Sequence, residues 1–333
     1  MNNLIEGKCS LIQRSLWEIN SNGQIYSAQI DKTFSQDLPC VGDDVKARVD
    51  EYGKIYITEV GKRKNELFRF KDGKKQNIAS NIDVVFVVSS MNNEFNIRKI
   101  ERFAIIGKIP NSRLCFILTK KDLCENPEEF AIKVKNRFPN CEVVVTSALE
   151  NDGLEAVLRL WNQGETAIFI GSSGVGKSTL INALAKKELM KTGEIRKVDD
   201  KGRHTTTTRS LFVIEGGRIV IDTPGVRSVG VSEEENSEGV ENIFSEIIEI
   251  EQECRFNNCD HSEGAIGCAI RKAINEGVIS EDFLSSYLKY KKKENSRRQK
   301  KEGDPGIPTW KKTQIAKQKK NNSVKRRRER RLG

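Results

Sequence analysis

The nine residues Gly171-Ser172-Ser173-Gly174-Val175-Gly176-Lys177-Ser178-Thr179 have the residue types and spacing of a phosphate-binding loop. Glycines let backbone N–H groups curl around phosphate oxygens, and the start of the following helix adds its positive end. We expect Lys177 to reach the outer phosphates and Ser178 to bind Mg²⁺. An apolar strand ending at Ile170 precedes the loop and a helical pattern follows it, which is the context that this motif requires.

A second motif, Asp222-Thr223-Pro224-Gly225, follows an apolar strand pattern over residues 218–221. An aspartate at a strand end can face the metal ion of a bound nucleotide, and the N–H of Gly225 can sense the terminal phosphate. An Asp before a Pro-Gly turn is common by itself. Its position after the phosphate loop is what favours the nucleotide-binding interpretation.

Between these motifs lies a hydroxyl-rich run, Gly202-Arg203-His204-Thr205-Thr206-Thr207-Thr208. A loop with a flanking glycine and several hydroxyls suits contact with a terminal phosphate and its Mg²⁺. We expect one threonine among Thr205, Thr206 and Thr207 to complete the magnesium shell. His204 is a candidate catalytic residue that positions water, or a residue that contacts a partner, with simple solvent exposure as the alternative.

Two short motifs at strand ends fit recognition of a guanine base. In Thr119-Lys120-Lys121-Asp122, the Asp122 carboxylate can accept the N1–H and N2–H₂ donors of guanine, a donor pair that adenine lacks, and the Lys120 stem can lie against the base. In Thr146-Ser147-Ala148, a backbone N–H near Ser147 and Ala148 can meet the guanine carbonyl. Either motif alone could be a solvated turn.

The order of these motifs is unusual. Ordinary GTPases place the guanine motif after the phosphate loop, whereas here Asp122 precedes Gly171 by about fifty residues. The sequence therefore predicts a circularly permuted GTPase domain, with its phosphate-sensing segments at the domain's end. A P-loop ATPase or kinase remains the alternative until guanine selectivity is measured.

A second chemical cluster has the pattern C-x4-C-x-H-x6-C and consists of Cys254, Cys259, His261 and Cys268. Three thiolates and an imidazole at this spacing can surround one tetrahedral Zn²⁺, leaving no open position for catalysis. Buried free thiols are the alternative. The other cysteines are scattered and none resembles a nucleophile; they are Cys9, Cys40, Cys115, Cys124 and Cys141.

The pattern of strands and helices predicts a multidomain chain. Short strands with turn signals over residues 6–61 favour a small β-barrel, an OB-fold. Apolar strand runs alternate with helical patterns over residues 82–228, as in a doubly wound α/β domain. The remainder predicts helices around the Cys/His cluster and then a basic tail. The predicted domains are 1–66 (OB-fold), 67–229 (permuted GTPase domain), 230–290 (α-helical zinc-binding domain) and 291–333 (basic tail, disordered when alone).

Charge is unevenly distributed along the chain. The net charge is +10, yet residues 289–333 contain 19 Lys/Arg and 4 Asp/Glu, a net of +15. The body before them is mildly acidic, so a polyanion should contact the tail first, and RNA is the expected partner. A merely solvated charge run is the alternative. Without an apolar run that spans a bilayer or a signal-peptide pattern, we expect a cytoplasmic protein that binds no membrane. We also expect it to be a monomer.

These motifs in this order resemble the ribosome small-subunit-dependent GTPase A (RsgA) family over roughly residues 5–290, and the switch sequence 202–207 and the zinc pattern are especially similar. The resemblance implies an OB-fold, a permuted GTPase and a zinc domain. It also implies GTP hydrolysis stimulated by the small ribosomal subunit during late maturation, with the subunit and its rRNA as partners. Thr119 stands where many GTPases have Asn. Val226 stands where Ras-like enzymes have a water-orienting Gln, and its side chain cannot orient water, so we expect slow intrinsic hydrolysis. A GTP-regulated RNA-binding module with incidental hydrolysis is the alternative function.

Overall fold

The computed structural model describes residues 4–13, 15–71, 74–190, 209–222 and 243–302. The chain divides into two compact units, one of residues 1–260 with 265–269 and the other of residues 261–264 with 270–333. Within the described ranges, no helix has the length and apolar character needed to cross a membrane. The domain boundaries given above stay predictions.

The N-terminal part is a closed five-stranded barrel, as the strand pattern predicted. Its strands are β1 (Leu4–Gln13), β2 (Leu16–Ser21), β3 (Gln24–Ile30), β4 (Asp44–Val49) and β5 (Ile55–Val60). β1 pairs with both β2 and β4, and the barrel closes in the order β1-β2-β3-β5-β4-β1, the topology of an OB-fold. Alternate side chains along β4 are buried because every second residue of a strand faces the barrel interior.

A two-stranded hairpin, β6 (Glu66–Lys71) and β7 (Lys74–Ser80), follows the barrel. The sequence analysis did not predict it, although Asp72-Gly73 is a hairpin signal in the sequence. The carbonyl of Val41, in the barrel, accepts a hydrogen bond from the N–H of Ser80 at the end of β7. The hairpin therefore contacts the barrel before the chain enters the next domain.

The central domain has the predicted alternation of strands and helices. Its strands are β8 (Val84–Ser90), β9 (Arg113–Thr119), β10 (Glu142–Val145), β11 (Thr166–Ile170), β12 (Arg209–Val213) and β13 (Ile219–Asp222). Its helices are α1 (Ile97–Gly107), α2 (Pro127–Arg137), α3 (Leu154–Arg159) and α4 (Lys177–Ala185). The strands are arranged in the order β10-β9-β8-β11-β13-β12, and all are parallel to their neighbours except β12.

This strand order brings the ends of β9, β10, β11 and β13 to one edge of the sheet, because parallel strands share the same carboxyl edge. The buried faces on the two sides of the sheet form two apolar clusters, one with Val85 and Val87 and the other with Val84, Phe86 and Val88. Burial on both faces explains the continuous apolar runs of these strands in the sequence.

One pairing was not predicted: barrel strand β1 runs antiparallel to β12 of the central domain. Eleven of the described strands thereby form one continuous sheet, in the order β10-β9-β8-β11-β13-β12-β1-β2-β3-β5-β4. The barrel and the central domain are thus joined by backbone hydrogen bonds between strands as well as by the connecting chain.

Among the described residues after β13, three helices are present: α5 (Ser245–Gln252), α6 (Ala269–Asn275) and α7 (Glu281–Glu302). α7 continues past residue 291, where the sequence analysis expected the disordered tail to begin. Lys, Arg, Glu and Gln are good helix formers, so a strongly charged stretch can still extend a helix. The rest of the predicted tail, from residue 303, lies outside the described residues.

Candidate functional site

The phosphate loop lies between β11 and α4. At Gly171 (φ +151°), a Cβ atom would approach the carbonyl oxygen of Val88 to 2.2 Å, so only glycine allows this backbone path. Gly176 adopts φ +89° immediately before α4 begins at Lys177, which leaves the first N–H groups of that helix at the loop. This arrangement suits an anion at the end of β11.

The side chain of Lys177 lies within this loop. The residue is only 6% exposed, and its ammonium donates hydrogen bonds to the carbonyl oxygens of Gly171, at 2.8 Å, and of Ser172. The adjacent Ser178 is the second residue of α4. A cation held at the helix start and beside the loop backbone is suitably placed to neutralise phosphate charge.

Thr119, at the end of β9, connects the guanine motif to the phosphate loop. Its hydroxyl is buried and lies 2.5 Å from the carbonyl oxygen of Val175, and 3.3 Å from that of Ser89. A hydroxyl has one proton to donate, and the shorter contact to Val175 indicates its acceptor. Thr119 therefore fixes the spacing between the two motifs, a role that the sequence analysis did not assign to it.

Asp122 lies in the 3₁₀ turn Lys121–Leu123, directly after Lys120, which adopts a left-handed conformation (φ +62°). Ser147 donates a hydrogen bond from its hydroxyl to Asp122 Oδ1 at 2.6 Å. A left-handed non-glycine residue is strained, and such strain is concentrated at functional sites. The two guanine motifs are thus in direct contact, with the Asp122 carboxylate oriented by Ser147.

The side chain of Lys121 is turned towards Asp152, to which its ammonium donates a 2.6 Å hydrogen bond. The bond and the opposite charge raise the pKa of Lys121 and lower the pKa of Asp152. Asp152 also exchanges two backbone hydrogen bonds with Ser147. Nothing in the sequence pattern singled out Asp152, because its role depends on two loops meeting in space.

Asp222 is the last residue of β13, next to β11 in the sheet. It pairs across the sheet with Ser210 of β12. Along one edge the structure therefore places the guanine motifs at β9 and β10, the phosphate loop at β11 and Asp222 at β13. Some of the predicted residues lie outside the described part of the chain; they are His204, Thr205, Thr206, Thr207, Thr223, Gly225 and Val226.

The predicted metal ligands come together. One ligand atom from each of Cys254, Cys259, His261 and Cys268 lies within 4.8 Å of all the others. The Sγ atoms of Cys254 and Cys268 are 4.0 Å apart, close to the roughly 3.8 Å that tetrahedral Zn–S bonds of about 2.3 Å require. His261 is buried and adopts φ +54°. The donor set and its spacing fit one metal ion.

Four cysteines outside this cluster have raised thiol pKa values, chiefly because burial disfavours the thiolate. The pKa of Cys40 is raised to about 12 and that of Cys115 to about 11. The pKa values of Cys9 and Cys141 are raised for the same reason. Thiols that resist ionisation are poor nucleophiles, in agreement with the absence of a nucleophile pattern around them.

The family described as RsgA GTPase matches residues 60–232, just over half of the chain. The chain belongs to the RsgA GTPase family. Among its relatives, the small ribosomal subunit biogenesis GTPase RsgA of Leptospira interrogans is 38% identical over 255 residues, or 75% of this chain and 71% of the relative. The RsgA of Methanosarcina acetivorans is 35% identical over 289 residues, or 85% of this chain and 78% of the relative.

Solved structures of the same fold agree with this membership. YjeQ from Thermotoga maritima superimposes with a TM-score of 0.64 at 23% identity, covering 86% of this chain and 97% of YjeQ. YloQ, described as a circularly permuted GTPase, gives a TM-score of 0.62 at 21% identity, covering 89% of this chain and 96% of YloQ. These matches support the barrel and the permuted α/β domain of this RsgA family member.

Proposed function

We propose that this chain binds GTP and hydrolyses it to GDP and phosphate, with stimulation by the small ribosomal subunit during that subunit's late maturation. The observation that carries the proposal is the order of motifs along one sheet edge, from the guanine motifs through the phosphate loop to Asp222. In this assignment Asp122 selects guanine, the Lys120 stem lies against the base, and backbone groups of Ser147 and Ala148 meet its carbonyl. Lys121 supports the same motif through its hydrogen bond to Asp152. Residues 171–179 hold the phosphates.

Magnesium would be held by the Ser178 hydroxyl with a threonine among Thr205, Thr206 and Thr207. The Asp222 carboxylate, at the end of β13, would face the same ion. Mg²⁺ supplies charge neutralisation at the phosphates when bound. The hydroxyl and carboxylate oxygens are hard ligands of the kind that Mg²⁺ prefers. Gly225 would sense the terminal phosphate through its N–H.

The hydrolytic water needs a positioning group that Val226 cannot provide, since an isopropyl side chain forms no hydrogen bond. His204 is the proposed residue for this role. Because an incomplete site hydrolyses slowly, the partner would raise turnover by completing or ordering it. The enzyme would therefore depend on the subunit for rapid hydrolysis and be slow when alone.

The small ribosomal subunit and its rRNA are the proposed partners. The curated relatives are named small ribosomal subunit biogenesis GTPases, and the net charge of +15 over residues 289–333 suits a polyanion. Zinc is the proposed ion of the Cys/His cluster, since three thiolates and a histidine match its preferred ligands. We further propose that the protein acts as a cytoplasmic monomer.

The alternative is a GTP-regulated RNA-binding module in which hydrolysis is incidental. The rate at which the protein dissociates from small subunits distinguishes these two functions. If hydrolysis drives the cycle, the protein should leave small subunits faster with GTP than with a non-hydrolysable analogue. Equal release rates with both nucleotides would support the alternative and contradict the enzymatic cycle.

A further inference from the structure

Strand β12 joins the barrel to the nucleotide-binding domain. Its residues pair antiparallel with β1 of the barrel, Ser210 opposite Leu11 and Arg209 opposite Ile12. The other side of β12 pairs with β13, where Ser210 is opposite Asp222. Leu11, Ser210 and Asp222 therefore form one row of paired residues across three strands, from the barrel to the proposed metal-facing carboxylate.

In the sequence, β12 and β13 lie between the two predicted phosphate-sensing motifs. β12 begins at Arg209, the residue after Thr208 of the hydroxyl-rich run, and β13 ends at Asp222, the first residue of the Asp-Thr-Pro-Gly motif. The β12–β13 hairpin thus separates the two phosphate-sensing motifs in the chain. The strand next to this hairpin in the sheet, on the side away from β11, belongs to the barrel.

A second contact links the barrel to β13. Gly42, with φ +98°, follows Val41 in the loop before β4, and a Cβ atom there would lie 3.0 Å from Ile221 Cδ1 and 2.4 Å from the carbonyl oxygen of Ser80. Ile221 immediately precedes Asp222. The barrel backbone therefore packs directly against the residue beside the proposed metal-facing group, without the space for an intervening side chain.

Buried polar groups hold this barrel loop in place. Asp43 is fully buried, and its carboxylate accepts hydrogen bonds from Arg63 Nη2 at 2.7 Å, from the Ser80 hydroxyl at 2.5 Å and from the N–H of Cys40 at 2.7 Å. A buried carboxylate with several partners is costly to disturb. The loop is therefore held at several points, and we expect it to follow a displacement of β13 rather than absorb it.

We propose that the β12–β13 hairpin couples the nucleotide state to the barrel: exchange of GDP for GTP changes the β1–β12 junction and the contact of Gly42 with Ile221. The proposal rests on the nucleotide site proposed above. Packed interfaces of this kind tend to switch between discrete arrangements rather than deform continuously. If GTP changes the affinity of the barrel for a ligand, that ligand must change the affinity for GTP by the same factor. Such couplings between two sites typically change affinity by about 5–150-fold.

Hydrogen exchange of the full chain tests the coupling, with GDP and with a non-hydrolysable GTP analogue in the presence of Mg²⁺. Peptides covering Lys8–Gln13 and Arg209–Val213 should change protection together between the two nucleotides. Peptides covering β2 and β3, which belong to the barrel but do not pair with β12, serve as the internal reference and should change less.

A change in β12 without one in β1 would overturn the proposal, as would unchanged exchange in both strands despite nucleotide protection of residues 171–178. Absence of any protection of residues 171–178 would instead contradict the nucleotide site itself, and the coupling with it. The two failures are thus distinguishable in one data set.

Ile221→Val tests the second contact, since it removes the Cδ1 atom that faces Gly42 while keeping a β-branched side chain. Ile219→Val is the matched control: it is the same change, on the same strand and in the same apolar cluster. Ile221→Val should reduce the nucleotide-dependent exchange difference in the Cys40–Asp43 loop at least twofold, and Ile219→Val should leave it near the wild-type value. Equal behaviour of the two variants would contradict transmission through Gly42.

Discussion

Guanine selection by Asp122 can be tested with the substitution Asp122→Asn. Ser147 donates its hydroxyl to Asp122 Oδ1 at 2.6 Å, and an asparagine carbonyl oxygen can still accept that bond. The Asn amide would then present an N–H₂ group to the base, where the carboxylate presents an acceptor. Guanine has donors at this edge, whereas xanthine has a carbonyl oxygen. The variant should therefore bind GTP more weakly and xanthosine triphosphate more tightly.

The expected magnitude follows from the charge on the carboxylate. A hydrogen bond to a charged group contributes about 1.5–3 kcal/mol, and about 1.4 kcal/mol is a tenfold change in affinity. Loss of one such bond should therefore weaken GTP binding by about 10–150-fold. Loss of both hydrogen bonds from guanine, together with repulsion between the Asn amide and the guanine donors, would weaken GTP binding further.

Competition of GTP, xanthosine triphosphate and ATP against a fluorescent nucleotide measures all three affinities in the wild type and the variant. Ser147→Ala is the control for orientation, since it keeps the carboxylate and removes one donor to it. We expect this control to weaken GTP binding by about 0.5–1.5 kcal/mol without a preference for xanthosine triphosphate. Unchanged GTP affinity in Asp122→Asn would refute the assignment of guanine recognition to this residue.

Three further outcomes are expected. Thr119→Val, which removes the hydroxyl bonded to the Val175 carbonyl, should weaken GTP by about 0.5–1.5 kcal/mol and keep the preference over ATP, whereas Thr119→Ser should bind normally; equal affinities in a titration would contradict the spacing role. We expect elemental analysis to find one zinc per chain in the wild type and in Cys141→Ala, and none in Cys259→Ala, which should also have a less stable domain, since structural zinc contributes on the order of 10 kcal/mol to folding; a zinc-free wild type purified without chelators would exclude the site. Deletion of residues 309–333 should weaken RNA binding and flatten its salt dependence, by a log–log slope of about 0.7 for each phosphate of a single strand that the tail neutralises, with GTP affinity unchanged; superimposable salt titrations would show that the tail does not touch the RNA.

Much of the fold could be predicted because the local patterns are strong. The strands Glu142–Val145 and Thr166–Ile170 coincide with apolar runs in the sequence, and each strand ends where a polar or glycine residue follows. α3 spans only Leu154–Arg159, and Gly153, with φ +74°, directly precedes its start. Periodicity shows which residues share a face but locates helix ends poorly.

The pairing of β1 with β12 could not be predicted, because it joins strands nearly two hundred residues apart in sequence. Which edge strand of a sheet meets which barrel strand depends on exposed backbone groups that all strands have. The same applies to Thr119 and Asp152: their hydrogen bonds to Val175 and Lys121 arise between loops that only the folded sheet brings together. The residues of the site could be predicted from motif spacing, whereas the hydrogen bonds between them could not.

We propose that the small ribosomal subunit completes the catalytic site of this GTPase. GTP turnover measured with the protein alone, with purified small subunits and with purified large subunits tests it most directly, since completion of a GTPase site accelerates hydrolysis by about 10³–10⁵-fold in other systems. We expect slow turnover alone and with large subunits, strong stimulation by small subunits, and loss of most of that stimulation in His204→Ala with GTP binding retained. Equal turnover with and without small subunits would contradict the account.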